Sequence, residues 1–156
     1  MAAALLALTV PAADAAQTKP QKFFRDKLLK SPEVARSVKV TLKKGGFVDK
    51  TIVFADLTGE GKADALVTVN SGGSAGRIAL YIFSAGKGTD LKVAYRNQRL
   101  YRAEARVNPG PEAVYSVPVY SADDELCCPS HYRETTLKWS ARLKKFGVAS
   151  RRTIMP

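Results

Sequence analysis

The two cysteines of the chain are adjacent, at Cys127 and Cys128, inside the segment DDELCCPSH at residues 123–131. In an oxidising compartment such a pair forms a vicinal disulfide, stays as two thiols, or bonds to another chain. A metal site with His131 and Asp124 is a further interpretation. Zinc sites, however, usually space their cysteines by two to four residues so that both sulfurs reach one ion. The sequence therefore favours the vicinal disulfide.

An acidic turn, DLTGEGKAD at residues 56–64, joins two apolar segments. Side-chain oxygens fall at alternate positions of this turn, and Gly61 permits a sharp bend. The candidate ligands are Asp56, Thr58, Glu60, the Lys62 carbonyl oxygen and Asp64. This spacing suits Ca²⁺, which takes six to eight oxygen ligands. The alternative is a plain strand–turn–strand in which Asp and Thr side chains cap backbone N–H groups.

A group of four arginines lies between residues 96 and 106. Its members are Arg96, Arg99, Arg102 and Arg106. The chain carries 25 Lys and Arg against 14 Asp and Glu, a formal charge of +11, and such a surface attracts anionic partners through forces that salt screens. We expect an anionic cell-envelope polymer or lipid head groups as the partner, and no nucleic acid, because no nucleic-acid-binding motif occurs. A solvated basic surface without a dedicated partner is the alternative.

No catalytic constellation emerges from these residue types. The chain has one histidine and no H-E-x-x-H metalloprotease motif. The glycine-containing segment 84–89 has Gly88 where a phosphate-binding loop needs Ser or Thr after its lysine. We therefore expect a non-enzymatic protein with no cofactor, apart from the calcium of the acidic turn.

Two resemblances follow from these segments. The acidic turn resembles the calcium-binding loops of FG-GAP and VCBS repeats, which occur in propeller blades and exported adhesion domains, although only one copy is present. The segments DLTGEGKADALVTV (56–69), NSGGSAG (70–76) and CCPS (127–130), followed by Trp139, resemble the LppP/LprE-type envelope lipoproteins of actinobacteria. This resemblance covers residues 51–140 and implies an extracytoplasmic location but no defined activity. The chain has no lipobox cysteine, so we expect a non-lipidated relative.

The first residues read as an export signal. Residues 1–15 contain an apolar stretch that is too short to span a bilayer and end in an A-x-A match, Ala13-Asp14-Ala15, which predicts cleavage after Ala15. No Lys or Arg precedes Lys19, so we expect the natural start to lie upstream or the signal to be shortened. A linker at 16–21 and one β-rich domain at 22–156 follow. The alternative is an Ala-rich tail on a cytoplasmic protein.

The elements that position these residues are mostly strands. Of the 156 residues, 46% are hydrophobic and 25% charged, which is typical of one packed domain and excludes a disordered chain. An amphipathic helix is predicted at 21–30, with Phe24, Leu28 and Leu29 on one side. Strands are predicted at 37–43, 50–55, 63–70, 77–83, 91–95, 100–107, 113–120, 135–143 and 147–154. Segment 77–83 is apolar on both faces and is expected at the centre. The fold class is α+β, with one mostly antiparallel, twisted sheet and a short N-terminal helix.

The sequence thus predicts a secreted or envelope protein that acts as a binding or structural module with a basic surface. One alternative is a thiol-redox or metal-handling protein that acts through Cys127 and Cys128. Another is a calcium-stabilised adhesion-type module. The sequence indicates no oligomeric state.

Overall fold

The first helix begins at a capping box. The computed structural model describes residues 17–156, and the expected signal segment 1–15 lies outside them. Helix α1 (Lys19–Lys30) follows Thr18, whose hydroxyl accepts the Gln21 N–H at 3.4 Å, while the Gln21 side-chain oxygen accepts the Thr18 N–H at 2.9 Å. These bonds satisfy donors that a helix start otherwise leaves open. The helix therefore starts two residues earlier than predicted, and the last three residues of the expected linker are helical.

Helix α2 (Arg36–Lys43) lies where the sequence predicted a strand at 37–43, and that prediction is wrong. Val38, Val40 and Leu42 alternate with polar residues, but Val38 and Leu42 are also four residues apart, the spacing of one helical face. These two side chains are buried, whereas Val40 is 39% exposed.

Neither helix within residues 17–156 has the length and apolar character that a membrane-spanning helix needs.

Within residues 17–156, nine strands follow the helices; eight lie close to predicted positions, and the first, at residues 47–48, was not predicted. They are β1 (Phe47–Val48), β2 (Val53–Ala55), β3 (Asp64–Asn70), β4 (Arg77–Ser84), β5 (Lys92–Asn97), β6 (Glu104–Asn108), β7 (Glu112–Val119), β8 (His131–Ser140) and β9 (Lys145–Ile154). Every strand pairing is antiparallel. The predicted α+β class, mostly antiparallel strands with a short N-terminal helix, is confirmed.

The strands form two sheets, so the expectation of a single sheet is wrong. One sheet has the order β1-β3-β4-β5, with β2 also on β3, and the other has the order β6-β7-β8-β9. The break falls between β5 and β6. There the N–H groups of Leu100 and Ala103 still bond to carbonyls at the start of β4, at 3.0 and 3.1 Å. Arg102, between them, takes a left-handed backbone conformation with φ of 48°, and the chain leaves the first sheet at this point.

The first sheet is the middle of three layers. On β4, Tyr81 and Phe83 belong to a core cluster with Phe24 and Leu28 of α1, and they face the helices. Residues of opposite parity, such as Ile82, belong to a second cluster with residues of β7, β8 and β9. Because side chains of a strand alternate between faces, β4 is buried on both sides, as its apolar sequence predicts. The helices, the five-stranded sheet and the four-stranded sheet therefore stack in this order.

Candidate functional site

The four arginines of the predicted basic group do not share one open surface. Arg96 pairs with Glu33 at 3.7 Å. Arg106 donates to a carboxylate oxygen of Glu134 at 2.7 Å. Within residues 17–156, Arg99 is the one member whose guanidinium has neither an ion pair nor a hydrogen bond.

Glu134 sits beneath two arginines on the outer face of the second sheet. Its side chain is only 3% exposed, and it accepts bonds from Arg106 on one side and from Arg152 on the other, the latter at 2.6 and 2.7 Å. The hydrogen bond from Arg106 lowers the pKa of the Glu134 carboxyl, and the bond from Arg152 acts in the same direction. This group is a structural ion triad with a net charge of +1, because both arginines share the one carboxylate.

Arg102 connects two loops. Its guanidinium donates to the Ser74 carbonyl and to the Tyr120 hydroxyl, each at 3.0 Å, and also to the Leu126 carbonyl. Ser74 lies in the glycine-rich hairpin loop 70–76 of the first sheet. Leu126 lies in the disulfide loop, defined here as residues 121–130 between β7 and β8. The side chain of Arg102 therefore holds a loop of each sheet in place.

A cavity of about 560 Å³ gathers a different set of arginines. Arg99, Arg133 and Arg151 line it, and aromatic and aliphatic side chains such as Tyr101 and Val117 form its walls. None of the residues that line it is acidic. Within residues 17–156, no ion pair involves any of the three arginines. We call this cavity the arginine pocket.

The strand register explains why two of these arginines meet. Arg151 of β9 pairs with Thr135 of β8, and Arg133 is two residues from Thr135 on the same strand. Residues two apart on a strand point to the same face, so Arg133 and Arg151 share a face as diagonal neighbours, about 7–8 Å apart. Arg99 comes from the segment between β5 and β6. Two guanidinium groups of the second sheet and one of the loop therefore border one cavity.

Asn97 and Tyr115 line the arginine pocket, and Tyr95 lies next to Tyr115. The Asn97 side chain accepts the Arg99 N–H at 3.2 Å and donates to the Tyr115 hydroxyl at 3.3 Å, so it links the loop to the second sheet. Burial, followed by the neighbouring Tyr115, raises the pKa of the Tyr95 phenol, and the charge of Arg151 opposes this rise. The Tyr95 phenol therefore stays neutral at physiological pH and does not neutralise the arginines.

The acidic turn is closed by its own hydrogen bonds. Asp56 accepts the Glu60 and Gly61 N–H groups at 3.0 and 2.8 Å. Asp64, which is 1% exposed, accepts two backbone N–H groups at 2.8 Å and the Thr58 hydroxyl at 3.0 Å through one oxygen. These contacts match the strand–turn–strand alternative. Across residues 17–156, no three His, Cys, Asp or Glu side chains are grouped as a metal site, and calcium binding stays a prediction.

Lys62 and two serine motifs lie in the hairpin turns nearby. The Lys62 ammonium donates to the Gly88 carbonyl at 2.6 Å. Residues 72–76 fit the G-x-S-x-G pattern and residues 84–87 fit S-x-x-K, so the expectation that neither of these catalytic motifs occurs in the sequence is wrong. A nucleophile elbow needs a strand-to-helix turn, whereas residues 72–76 join antiparallel β3 and β4. Ser84 accepts the Gly86 N–H at 3.2 Å, and in the described chain it has no hydrogen bond to Lys87.

The disulfide loop is anchored at its base by Asp124. This carboxylate accepts the Ser121 N–H at 2.6 Å, the Ser130 N–H at 2.7 Å and the Ser130 hydroxyl at 2.5 Å. The Ser130 hydroxyl and these N–H groups lower the pKa of the Asp124 carboxyl. At the exposed tip of the loop, Cys127 and Cys128 are joined in a disulfide.

A second polar cavity of about 350 Å³ lies beside this disulfide. Cys127 lines it together with Arg102 and Arg77, whereas Cys128 is not one of its lining residues. Arg77 is paired with Asp49 at 3.0 Å and with Glu104 at 2.5 Å. We call this cavity the disulfide pocket. Arg102 is its one arginine without an acidic partner in residues 17–156.

Sequence reasoning did not place Arg133 and Arg151 in one site, because they lie far apart in the chain. A signal for them exists: Arg133, Thr135 and Leu137 have the period-two spacing of one strand face. The predicted strand began at residue 135, however, and so omitted Arg133.

Comparison of the chain with protein-family models, with curated proteins and with solved structures finds no match. The resemblance to LppP/LprE-type lipoproteins therefore stays a prediction, and the function has to be inferred from the residues themselves.

Proposed function

We propose that this protein is an exported bacterial envelope protein that binds a phosphate-bearing anionic partner through the arginine pocket and catalyses no reaction. One observation carries the proposal: three exposed guanidinium groups border one cavity that has no acidic lining residue. The export-like segment 1–15 and a disulfide, a bond that persists in oxidising compartments, support the extracytoplasmic location.

The chemistry of the arginine pocket suits phosphate groups. A guanidinium presents paired N–H donors that match two oxygens of a phosphate or carboxylate. Arg133 and Arg151 are close enough to share one such group, and Arg99 adds a third set of donors. The formal charge of +11 attracts a polyanion over a longer range and raises its local concentration. The walls accept the apolar part of a ligand, because Tyr101 is 40% exposed there.

The test uses two probes that separate the sources of phosphate. Soluble polyphosphate represents an anionic polymer, and vesicles of phosphatidylglycerol in phosphatidylcholine represent lipid head groups. Affinity is measured by titration calorimetry for the polymer and by co-sedimentation for the vesicles, at low and high salt. The test variant carries Arg133→Gln and Arg151→Gln. The control carries Arg142→Gln and Lys50→Gln, which remove the same two charges from exposed positions outside the arginine pocket.

We expect the pocket variant to weaken binding to at least one probe by tenfold or more, because hydrogen bonds to charged groups are worth about 1.5–3 kcal/mol each. The control should weaken it by less than about threefold, since it reduces only the long-range attraction. Equal losses in both variants would show binding by diffuse surface charge and refute the assignment to this pocket. Failure of the intact chain to bind either probe, or binding that high salt leaves unchanged, would refute the proposed function.

A further inference from the structure

The disulfide adds little to the stability of its own loop. Cross-linking adjacent residues closes no long loop, and the stabilisation by a disulfide in the chain-entropy model falls as the closed loop shortens. The loop is held instead by other bonds: Asp124 fastens its two ends, and Arg102 binds the Leu126 carbonyl near its tip. A purely structural role therefore does not explain this bond.

The surroundings of the two sulfurs are unequal. Both cysteines are exposed, so a solvent-borne thiolate can reach the bond. Of the two cysteines, only Cys127 lines the disulfide pocket, where Arg102 forms no ion pair within residues 17–156, although Glu104 also lines the pocket. The Arg102 guanidinium is also bonded to the carbonyl of the residue that directly precedes Cys127. The Glu125 carboxylate lies 3.6 Å from Sγ of Cys127 and opposes this charge, but it is exposed to solvent, which screens it. Arginine near a sulfur favours the thiolate, and on this balance we assign Cys127 as the leaving group of the pair.

We propose that the Cys127–Cys128 disulfide is a reactive site that exchanges with a dithiol, which is oxidised as the cysteine pair is reduced. A thiolate of the dithiol attacks Sγ of Cys128, a new S–S bond forms there, and the Cys127–Cys128 bond breaks. Cys127 leaves as a thiolate beside Arg102 and takes a proton from solvent. The second thiol of the partner, deprotonated, then attacks its own sulfur in the mixed disulfide and releases Cys128 as a thiolate. The net reaction converts one dithiol and one disulfide into one disulfide and one dithiol, and it is reversible.

Arg102 acts here as a positioning residue and an electrostatic partner. It keeps the tip of the disulfide loop next to the disulfide pocket and stabilises the departing thiolate. Exchange is faster when the leaving thiol has a lower pKa. The same side chain also binds the Ser74 carbonyl, so the glycine-rich loop holds the cation in place.

The first experiment uses the intact oxidised chain. Dithiothreitol is added under native conditions, the reaction is stopped with acid, and thiols are alkylated and counted by intact mass. We expect two alkyl groups per chain, with the circular dichroism spectrum and the unfolding temperature of the domain retained. A disulfide that is reduced only when the chain unfolds would overturn the proposal, as would a reduced chain that loses its fold.

A second measurement identifies the attacked sulfur. Reduced glutathione, a monothiol, should leave a mixed disulfide that fragment mass spectrometry places on Cys128. Glutathione on Cys127 would contradict the assigned direction. We expect Arg102→Gln to slow the reaction with dithiothreitol by at least about threefold, because the departing thiolate then loses its nearby positive charge.

The matched variants separate charge from structure. Arg102→Lys should restore most of the rate, because it keeps the positive charge. Arg142→Gln, an exposed arginine that lines neither pocket, should react like the unmodified chain. Equal rates in Arg102→Gln, Arg142→Gln and the unmodified chain would refute the role of Arg102. The glutathione result on the unmodified chain keeps the proposal falsifiable if Arg102→Gln does not fold.

Discussion

The ion triad at Glu134 offers a direct test of how the second sheet is held together. Glu134→Gln keeps the shape of the side chain and removes its charge, which leaves Arg106 and Arg152 facing a neutral amide. The glutamate is 3% exposed, and it makes three contacts of 2.6–2.7 Å with the two arginines. These bonds join β6, β8 and β9 across the outer face of the sheet.

The cost of this substitution follows from the burial of the three groups. Removing one partner of a fully buried ion pair costs about 3–5 kcal/mol. Here the arginine side chains are 48% and 65% exposed, so water screens them and can solvate them after the change. A loss of about 2 kcal/mol in the free energy of unfolding is therefore expected, close to the value of one or two charged hydrogen bonds. For a chain of this size it lowers the melting temperature by about 4–8 °C.

The loss of stability caused by Glu134→Gln should depend on pH in a defined direction. The pKa of Glu134 is lowered in the folded chain from an ordinary value of 4.5, so the unfolded chain binds a proton more readily. The stabilisation is fully present above the unfolded pKa and is lost as the pH falls through the folded pKa. Other carboxyl groups with lowered pKa values, such as Asp124 and Asp90, are present in both the unmodified chain and the Glu134→Gln variant, so their effects cancel in the comparison. The difference in stability between the unmodified chain and the variant should therefore shrink between pH 6 and the acid range.

The assay is thermal unfolding by circular dichroism at several pH values between neutral and the acid limit of folding. Glu112→Gln is the matched control, since it breaks the pair with Lys138, which is 62% exposed. Exposed pairs contribute about 0–1 kcal/mol, so the control should shift the melting temperature little. Equal shifts of the melting temperature in the two variants would refute this account of the triad. A loss of stability in Glu134→Gln that does not change with pH would refute it as well.

Two further predictions concern the acidic turn and export. Asp56→Ala removes the acceptor of two backbone N–H groups and should destabilise the chain by about 1 kcal/mol, as loss of a cap does, equally with and without calcium in thermal unfolding. A rise in the melting temperature of the unmodified chain on calcium addition that Asp56→Ala abolishes would instead support the calcium interpretation. For export, intact mass of the protein recovered from culture fluid or the envelope fraction of a bacterial host should correspond to a first residue Ala16. A full-length chain confined to the cytoplasm would contradict this prediction.

The strands could be predicted wherever the hydrophobic pattern and the flanking turn residues indicated the same element. In β3 and β4, apolar runs are bounded by the turn residues at 56–64 and 70–76, so the position and the centrality of β4 followed from the sequence. At residues 37–43 the signals conflicted, because Val38 and Leu42 fit a strand face and a helix face equally well. Tertiary packing decided the outcome: the first sheet has an apolar face that needs a cover, and Leu42 and Val38 supply it as part of a helix.

The candidate site was less predictable because it depends on register between distant segments. The sequence predicted a site from arginines that are close together in the chain. The side chains of Arg96, Arg102 and Arg106, however, each form an ion pair or hydrogen bonds with neighbouring residues. Arg133 and Arg151 are 18 positions apart in the numbering and meet only through the pairing of β8 with β9. No local pattern states that pairing, which is set by the turn between the two strands and by the core that they share.

The basic residues of β9 also bear on how copies of the protein meet. This ten-residue strand closes one side of the second sheet, so its outer backbone groups are available to a strand from another molecule. Two copies that paired antiparallel along it would bring Lys145 of one near Arg152 of the other, and this repulsion opposes aggregation along an open edge. Salt or a bound polyanion would weaken the repulsion. The basic residues along this open edge therefore also keep copies of the protein dispersed.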